Sequence, residues 1–304
     1  MWSVPSSPMS VLLSWPMAEA STVSWRALVH ETAALLGDAS EARWICEEVS
    51  GCRGAEWFGL LDSPAGTRAV ARLDALVARR QAGEPLQYVL GAWPFRHLEL
   101  FVDQRVLIPR PETEVVVGHA LDLLRPLISA SRPVVAADLG TGSGAIALSL
   151  VSELPLGSAE VWATDVSTDA LDVARANLAG IGRRGVGVRL ALGSWFDALP
   201  AALLGTFDVI VSNPPYVLVD DLRLDASVAE WEPGLALFGG PDGLDAVRVL
   251  VSGAQAWLRP GGSLVVEIGS GQGPAVRALA LAAGFNHVDI RPDLSGHDRA
   301  LIAR

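Results

Sequence analysis

The segment Phe207-Asp208-Val209-Ile210-Val211-Ser212-Asn213-Pro214-Pro215-Tyr216 decides the fold of this chain. Its first half predicts a buried strand, and the two consecutive prolines must end that strand because neither has the N–H that a sheet ladder requires. Asn213 and Tyr216 are therefore left at the carboxyl end of the strand, which is where open α/β sheets bind their ligands. A plain proline-rich turn is the alternative, since Asn-Pro commonly starts one.

Strand and helix patterns alternate from Val134 to Arg304. The predicted strands are Val134–Leu139, Glu160–Thr164, Val186–Leu192, Phe207–Ser212, Ser263–Ile268, His287–Arg291 and Ala300–Ala303. Such alternation predicts an α/β fold in which a mostly parallel sheet of seven strands is covered by helices on both faces.

The region from Ser24 to Leu90 has the apolar spacing of several short helices and carries no chemical signature, which favours packing or partner docking. Two short strands, Phe95–Phe101 and Gln104–Ile108, predict a hairpin after these helices. This organisation predicts four segments: an N-terminal segment over 1–22, a helical domain over 23–91, a hairpin linker over 92–110 and a catalytic domain over 111–304. The first segment is interpreted as a disordered tail or as an over-long start, in which case Met17 is the true start.

Composition narrows the classes of function. The formal net charge of −11 disfavours nucleic acid as a partner, because an acidic surface repels phosphate backbones. Cys46 and Cys52 are the only cysteines, too few for a disulfide framework or a zinc site of the usual spacing. We therefore expect no metal and a reduced, cytoplasmic setting.

No segment offers the roughly 18 uninterrupted apolar residues of a membrane helix. A monomer is expected, because no self-complementary apolar stripe stands out.

A glycine-rich turn follows the first predicted strand of the sheet. In Asp138-Leu139-Gly140-Thr141-Gly142-Ser143-Gly144, the glycines allow a tight turn and a close approach of the backbone to a ligand. Asp165, at the end of the second strand, is placed to accept the two hydroxyls of a ribose. The alternative for Asp165 is a helix cap together with Ser167 and Thr168.

The third predicted strand of the sheet is followed by Gly193-Ser194-Trp195. An aromatic ring at this position can stack on an adenine ring, whereas plain core packing is the alternative interpretation of Trp195. A nicotinamide-dependent enzyme would also use a glycine turn and an acidic residue. It would need an acid–base group after the later strands, and the sequence offers no obvious one.

The glycine turn, Asp165 and Asn213-Pro214-Pro215-Tyr216, in this order, resemble an S-adenosylmethionine-dependent methyltransferase. The chain is more closely similar to the HemK/PrmC family, the glutamine methyltransferases that modify peptide chain release factors. The motifs that carry this resemblance extend over residues 24–304 and comprise Gly83-Glu84-Pro85-Leu86-Gln87-Tyr88, Leu107-Ile108-Pro109-Arg110-Pro111-Glu112-Thr113-Glu114, Asp138 to Leu148, Ser212 to Tyr216, Glu232-Pro233, Gly239 to Asp245, Pro260-Gly261-Gly262 and Glu267-Ile268-Gly269.

The resemblance implies a Rossmann-like catalytic domain, a helical N-terminal domain that helps to grip the protein substrate, and a β-hairpin between them. It implies that S-adenosyl-L-methionine gives its methyl group to nitrogen N5 of the glutamine in the Gly-Gly-Gln motif of class 1 release factors, leaving S-adenosyl-L-homocysteine. The implied cofactor site comprises Gly140, Thr141, Gly142, Ser143 and Gly144 for the methionine moiety, Asp165 for the ribose, Trp195 for the adenine, and the adjoining Asn213. The implied catalytic and substrate-binding residues are Asn213, Pro214, Pro215 and Tyr216.

The chemistry of amide methylation explains why these residue types suit the task. An amide nitrogen is a poor nucleophile because its lone pair is delocalised into the carbonyl, so positioning matters more than a strong base. The Asn213 side-chain oxygen and the Pro214 carbonyl can each accept one amide N–H and turn the nitrogen toward the methyl donor. Tyr216 can cover the flat face of the amide and exclude water.

Three other functions fit parts of the pattern. An adenine-N6 DNA methyltransferase uses the same tetrapeptide but would have to flip a base out of the duplex. A glutamine methyltransferase acting on a ribosomal protein shares all the motifs. A cofactor-binding protein without activity would have no use for Asn213 and Tyr216.

The connection from Val217 to Gly240 is predicted to be a substrate lid, with a solvated loop as the alternative.

Overall fold

The computed structural model describes residues 23–129, 132–218 and 225–304. The chain divides into two compact units, of which the first ends at Ala82 and the second begins at Gly83. The interpretation of residues 1–22 as a tail or an over-long start lies outside the described residues.

From Val23 onward, where its description begins, the first unit contains four helices: α1 Trp25–Leu36, α2 Ala39–Ser50, α3 Gly54–Leu60 and α4 Thr67–Gln81. The Asp38 side chain caps α2 by accepting the backbone N–H groups of Ser40 and Glu41. Inside the unit, the buried rings of Trp25 and Trp57 pack edge to face with centroids 5.8 Å apart. The expected N-terminal helical bundle is therefore confirmed.

The second unit contains nine strands and eight helices within the described residues. In chain order they are α5 Leu86–Leu90, β1 Ala92–Phe95, β2 Leu98–Phe101, α6 Pro111–Leu124, β3 Val134–Leu139, α7 Ala145–Glu153, β4 Ala159–Asp165, α8 Thr168–Gly180, β5 Val188–Leu192, β6 Phe207–Ser212, α9 Ala226–Trp231, α10 Gly234–Leu237, α11 Asp245–Trp257, β7 Leu258–Glu267, α12 Gly273–Ala282, β8 Val288–Pro292 and β9 Asp298–Ala303. No helix within the described ranges is long and apolar enough to cross a membrane.

Seven of these strands form one sheet in the order β5-β4-β3-β6-β7-β9-β8. The strands from β5 to β7 run parallel, and β9 is antiparallel to both of its neighbours. The prediction of a mostly parallel seven-stranded sheet is confirmed. The order of the strands reverses between β3 and β6, so the loops that leave these two strands diverge and open a crevice at their carboxyl ends.

Helices cover both faces of the sheet, and residues that alternate along each strand reach opposite cores. On β3, Ala136 belongs to the core under α6, α7 and α8, whereas Ala137 and Leu139 belong to the core under α11 and α12. Because both faces are buried, the central strands consist of continuous apolar runs, which is why they could be predicted. Two layers of helices thus hold the carboxyl ends of the strands in place.

The hairpin lies at a different place from the one predicted. Its strands are β1 and β2, with the turn at Arg96-His97, while residues 104–108 are not a strand. The turn is set by contacts distant in sequence: Arg96, at φ 51°, donates its N–H to the Glu114 carboxylate and pairs with Glu153. The Asp103 carboxylate accepts the N–H of Arg105 and bends the following segment away from a strand.

We expect a buried leucine of the sheet-covering helices to contribute strongly to stability. Leu150 on α7 is completely buried, and Leu150→Ala should lower the free energy of unfolding by about 2–5 kcal/mol through lost burial and a residual cavity. Leu294→Ala, at a side chain that is 99% exposed, is the matched control and should change it by less than about 0.5 kcal/mol. Chemical denaturation measures both values, and equal effects would contradict this description of the core.

Candidate active site

The turn after β3 is shaped by backbone hydrogen bonds to β4. The N–H groups of Gly140 and Thr141 both donate to the Thr164 carbonyl, at 2.9 and 2.8 Å. Gly140 and Gly144 have φ of 77° and 87°, in the left-handed region that favours glycine. A Cβ atom on Gly144 would lie 3.1 Å from the Leu148 side chain, which would have to shift to accommodate it.

Asp138, the last but one residue of β3, is completely buried behind this turn. Its Oδ2 accepts the Thr141 hydroxyl at 2.6 Å and the Ala147 N–H at 3.1 Å, which ties the turn to the start of α7. Its Oδ1 has no hydrogen-bond partner among the described residues. Burial raises the pKa of Asp138 to about 7, against the opposing effect of the hydrogen bond from Thr141.

Asp165 lies at the end of β4, beside the turn. Its Oδ2 accepts the Gly142 N–H and its Oδ1 accepts the Ser167 N–H, each at 2.9 Å. Ser167, and not Asp165, caps α8 by accepting the N–H of Ala170. Burial raises the pKa of Asp165, opposed by these backbone hydrogen bonds. A carboxylate has about four acceptor sites, so Asp165 retains capacity to accept a ligand hydroxyl.

Trp195 follows β5 in a short 3-10 turn over residues 195–198. Its backbone has φ 47°, in the left-handed region that residues other than glycine rarely adopt. A Cβ atom on Gly140 would lie 3.5 Å from the Trp195 ring, so the ring packs on the glycine turn. Trp195 also packs against the core under α11 and α12. Its ring therefore contacts both the glycine turn and the core.

Asn213 follows β6 and is connected to two other elements by side-chain hydrogen bonds. Its Nδ2 donates to the Thr113 hydroxyl at 3.0 Å, and this hydroxyl donates to Glu267 Oε2 at 2.7 Å. The Tyr216 hydroxyl lies 3.4 Å from Glu267 Oε1. Burial raises the pKa of Tyr216, and the nearby Glu267 carboxylate raises it further.

Glu267 is the last residue of β7 and is completely buried. Burial raises its pKa to about 7, while the hydrogen bond from Thr113 and the charge of Arg299 act in the opposite direction. Glu267 and Asp138 are thus buried carboxylates at the carboxyl ends of two strands of the sheet, each accepting a hydrogen bond from a threonine hydroxyl.

A cavity of about 460 Å³ opens at these strand ends and brings most of the predicted site residues together. Its wall includes Gly140, Thr141, Gly142, Ser143, Asp165, Trp195, Asn213 and Pro215. The other three predicted residues, Gly144, Pro214 and Tyr216, do not line this cavity. Gly144 caps the N-terminus of α7 instead. The turn after β3, the acid after β4, the aromatic residue after β5 and the amide after β6 therefore surround one space.

Several residues of this site were not predicted from the sequence. Thr113 and Leu235 line the cavity, and Glu267 lies behind it. Glu232, which is 4% exposed, accepts the Ile108 N–H at 3.1 Å and pairs with Arg110. An acidic residue at the end of an apolar strand was the signal available for Glu267. The other contacts join residues more than 100 positions apart and have no local signal.

The predicted lid from Val217 to Gly240 is only partly described, because residues 219–224 lie outside the described part of the chain. At its two ends, the Val217 N–H donates to the Leu237 carbonyl and the Gly239 N–H donates to the Val217 carbonyl, each at 2.9 Å. The closure of this segment over a substrate stays a prediction.

The cavity fits a nucleoside-containing ligand such as S-adenosyl-L-methionine. Its volume lies within the range of small-molecule sites, its glycine turn leaves the backbone accessible, and its wall combines a carboxylate with an indole ring. With the sheet order described above, these features fit one class of protein, the α/β methyltransferases that depend on S-adenosylmethionine.

Comparison with known proteins identifies the family. Residues 27–91 match the PrmC N-terminal domain, and residues 117–229 match the methyltransferase small domain. Release factor glutamine methyltransferases from Burkholderia pseudomallei and Moorella thermoacetica are 44% and 46% identical, covering 86% and 80% of this chain and 90% and 83% of their own. Among solved structures, the hMettl16 catalytic domain in complex with the MAT2A 3'UTR hairpin 1 is similar in fold, with a TM-score of 0.51. The match covers 78% of this chain and 80% of that one, at 15% sequence identity, so it shows the fold alone. The chain belongs to the release factor glutamine methyltransferase family, as its motifs predicted.

The conformation of the glycine turn gives a test by substitution. Gly144→Ala should lower the free energy of unfolding by about 1–3 kcal/mol, because it places a side chain at positive φ and against Leu148. Gly180→Ala, at a helical glycine with nothing within 4 Å of an added Cβ, should leave stability unchanged or raise it by up to about 1 kcal/mol. Denaturant midpoints of the two variants measure the difference, and a tolerant Gly144 would contradict the turn described.

Proposed function

We propose that this protein transfers the methyl group of S-adenosyl-L-methionine to nitrogen N5 of the glutamine in the Gly-Gly-Gln motif of class 1 peptide chain release factors. The observation that carries the proposal is the place of Asn213, which lines the same cavity as the glycine turn and Asp165. Membership of the release factor glutamine methyltransferase family supports glutamine as the acceptor.

The cofactor supplies an electrophilic methyl group on its sulfonium, and the product is S-adenosyl-L-homocysteine. Gly140, Thr141, Gly142, Ser143 and Gly144 would hold the methionine moiety. Asp165 would accept the ribose hydroxyls, and Trp195 would lie against the adenine. The contacts of the Trp195 ring with the glycine turn support this arrangement, because they place an aromatic surface beside the turn.

Asn213 would position the substrate. Its Nδ2 already donates to Thr113, so Oδ1 is the atom with which it would accept an N–H of the glutamine amide. The Pro214 carbonyl would accept the second N–H, and both contacts would direct the nitrogen toward the methyl donor. Pro215 and Tyr216 would shape the pocket. No general base is needed, because the nitrogen becomes acidic once it carries the methyl group.

The same proposal covers partner and setting. We expect a monomer that acts in the cytoplasm on a protein substrate, with neither nucleic acid nor membrane as a partner. The formal net charge of −11 supports a protein substrate over nucleic acid.

The decisive experiment is mass spectrometry of a purified class 1 release factor after incubation with this protein and S-adenosyl-L-methionine. One methyl group on the glutamine of the Gly-Gly-Gln motif is expected with the wild type. Asn213→Ala should reduce the rate by about 100-fold or more while cofactor affinity stays within about twofold, because the contact that it removes orients the glutamine amide. Methylation of a ribosomal protein or of DNA in place of the release factor would refute the proposal.

The ribose assignment has a separate test. Asp165→Ala should weaken binding of S-adenosyl-L-methionine by about 10- to 100-fold, because hydrogen bonds to a charged acceptor are lost. Asp169→Ala, at an exposed aspartate in the first turn of α8, is the matched control and should bind normally. Titration calorimetry measures both affinities, and unchanged binding by the Asp165 variant would show that the ribose lies elsewhere.

A further inference from the structure

Three elements meet behind Asn213 in a continuous line of side-chain hydrogen bonds. Glu267 ends β7, Thr113 lies in the first turn of α6, and Asn213 follows β6. Glu267 is completely buried and Thr113 is 3% exposed, so water does not compete for either partner. The distances are 2.7 Å from Thr113 Oγ1 to Glu267 Oε2 and 3.0 Å from Asn213 Nδ2 to Thr113 Oγ1.

The direction of each hydrogen bond in this line follows from the number of protons available. An ionised carboxylate can only accept, so the single hydroxyl proton of Thr113 must go to Glu267. The Thr113 oxygen can then only accept from Asn213, which must present Nδ2 to it. The amide of Asn213 cannot satisfy this requirement in its flipped orientation, because two acceptor oxygens would then face each other. Oδ1 is consequently the atom left for a ligand.

We infer that Glu267 and Thr113 are positioning residues that fix the amide orientation of Asn213, so that the cavity offers an acceptor and selects a carboxamide, which can donate, over a carboxylate, which cannot. This inference rests on the proposed function for the identity of the substrate. It extends that function by assigning the preference for glutamine over glutamate to two residues on other elements, of which Glu267 is outside the cavity wall.

The charge state of Glu267 determines the orientation. The groups that act on it are Arg299 on β9, which favours the ionised form, Glu112 on α6, which disfavours it, and the Tyr216 hydroxyl, which donates to it. Burial brings the pKa of Glu267 to about 7. Below that pH, a Glu267 that carries its proton on Oε2 donates to Thr113, which then donates to Asn213 Oδ1 and turns Nδ2 toward the ligand. The productive orientation is therefore gained as the pH rises through this value.

Steady-state kinetics with the release factor test the inference through rescue by a conservative variant. Thr113→Val removes the hydroxyl and should lower kcat/KM by about 10- to 100-fold, with cofactor affinity within about twofold. Thr113→Ser keeps the hydroxyl and should stay within about threefold of the wild type. Thr206→Val, whose hydroxyl donates to the Leu203 carbonyl in a connecting turn, is the matched control and should be active. Equal losses in the valine and serine variants would overturn the inference.

The pH profile gives a second test that a purely structural role would not affect. The wild-type rate should fall about tenfold per pH unit below the pKa of Glu267, because only the ionised form orients Asn213 productively. Glu267→Gln should lose this acid limb, since its amide does not titrate. Glu160→Gln, at a carboxylate that accepts from Trp162 on β4, should retain it. Persistence of the limb in Glu267→Gln would contradict the inference.

A measurement on the free protein separates this inference from the proposed function. In nitrogen-15 NMR, the Asn213 side-chain NH₂ signals, assigned by their loss in Asn213→Ala, should shift with a midpoint near that of Glu267. They should be insensitive to pH in both Glu267→Gln and Thr113→Val. If the wild type fails to methylate the release factor but shows this titration, the orientation mechanism stands and the substrate is wrong. An Asn213 signal that does not respond to pH in the wild type overturns the mechanism whatever the substrate.

Discussion

The hydrogen bond from the Ser212 hydroxyl to the Leu139 carbonyl, 2.6 Å long, joins the ends of the two strands on which the site depends. These strands, β3 and β6, are neighbours in the sheet although two other strands separate them in sequence. The glycine turn continues one strand and Asn213 continues the other. The register between them therefore sets the distance between the residues proposed for the cofactor and those proposed for the substrate, and a shift of one residue would turn every side chain of β6 to the opposite face.

Two buried carboxylates support this arrangement from behind. Asp138 holds the glycine turn through Thr141, and Glu267 holds Asn213 through Thr113. Both are completely buried, which raises the pKa of each because burial disfavours the charged form. In its ionised form, each carboxylate can only accept a hydrogen bond, and it then fixes the direction in which a threonine hydroxyl donates.

The sequence was informative wherever a local pattern had one physical cause. The central strands follow from apolar runs buried on both faces, the turn after β3 follows from its glycines, and the end of β6 follows from Pro214 and Pro215. The hairpin was misplaced because its turn depends on Glu114 and Glu153, which are distant from Arg96 in sequence. Thr113 and Glu267 lie within motifs of the family, but no local pattern assigns either of them a role in the site. Their contact spans 154 positions, and no local pattern predicts which buried carboxylate a hydroxyl will reach.

The position of β9 constrains the order in which this sheet can form during synthesis. β8 precedes β9 in the chain but has no other partner in the sheet, because β9 lies between β8 and β7. While the nascent chain emerges, β7 therefore exposes an unpaired edge and β8 is without a sheet to join until residues 298–303 arrive. Glu267 lies on that edge and pairs with Ala300, so the surroundings that orient Asn213 are completed only when β9 joins the sheet. A ribosome-bound intermediate lacking β9 would have its glycine turn in place before its selectivity for an amide.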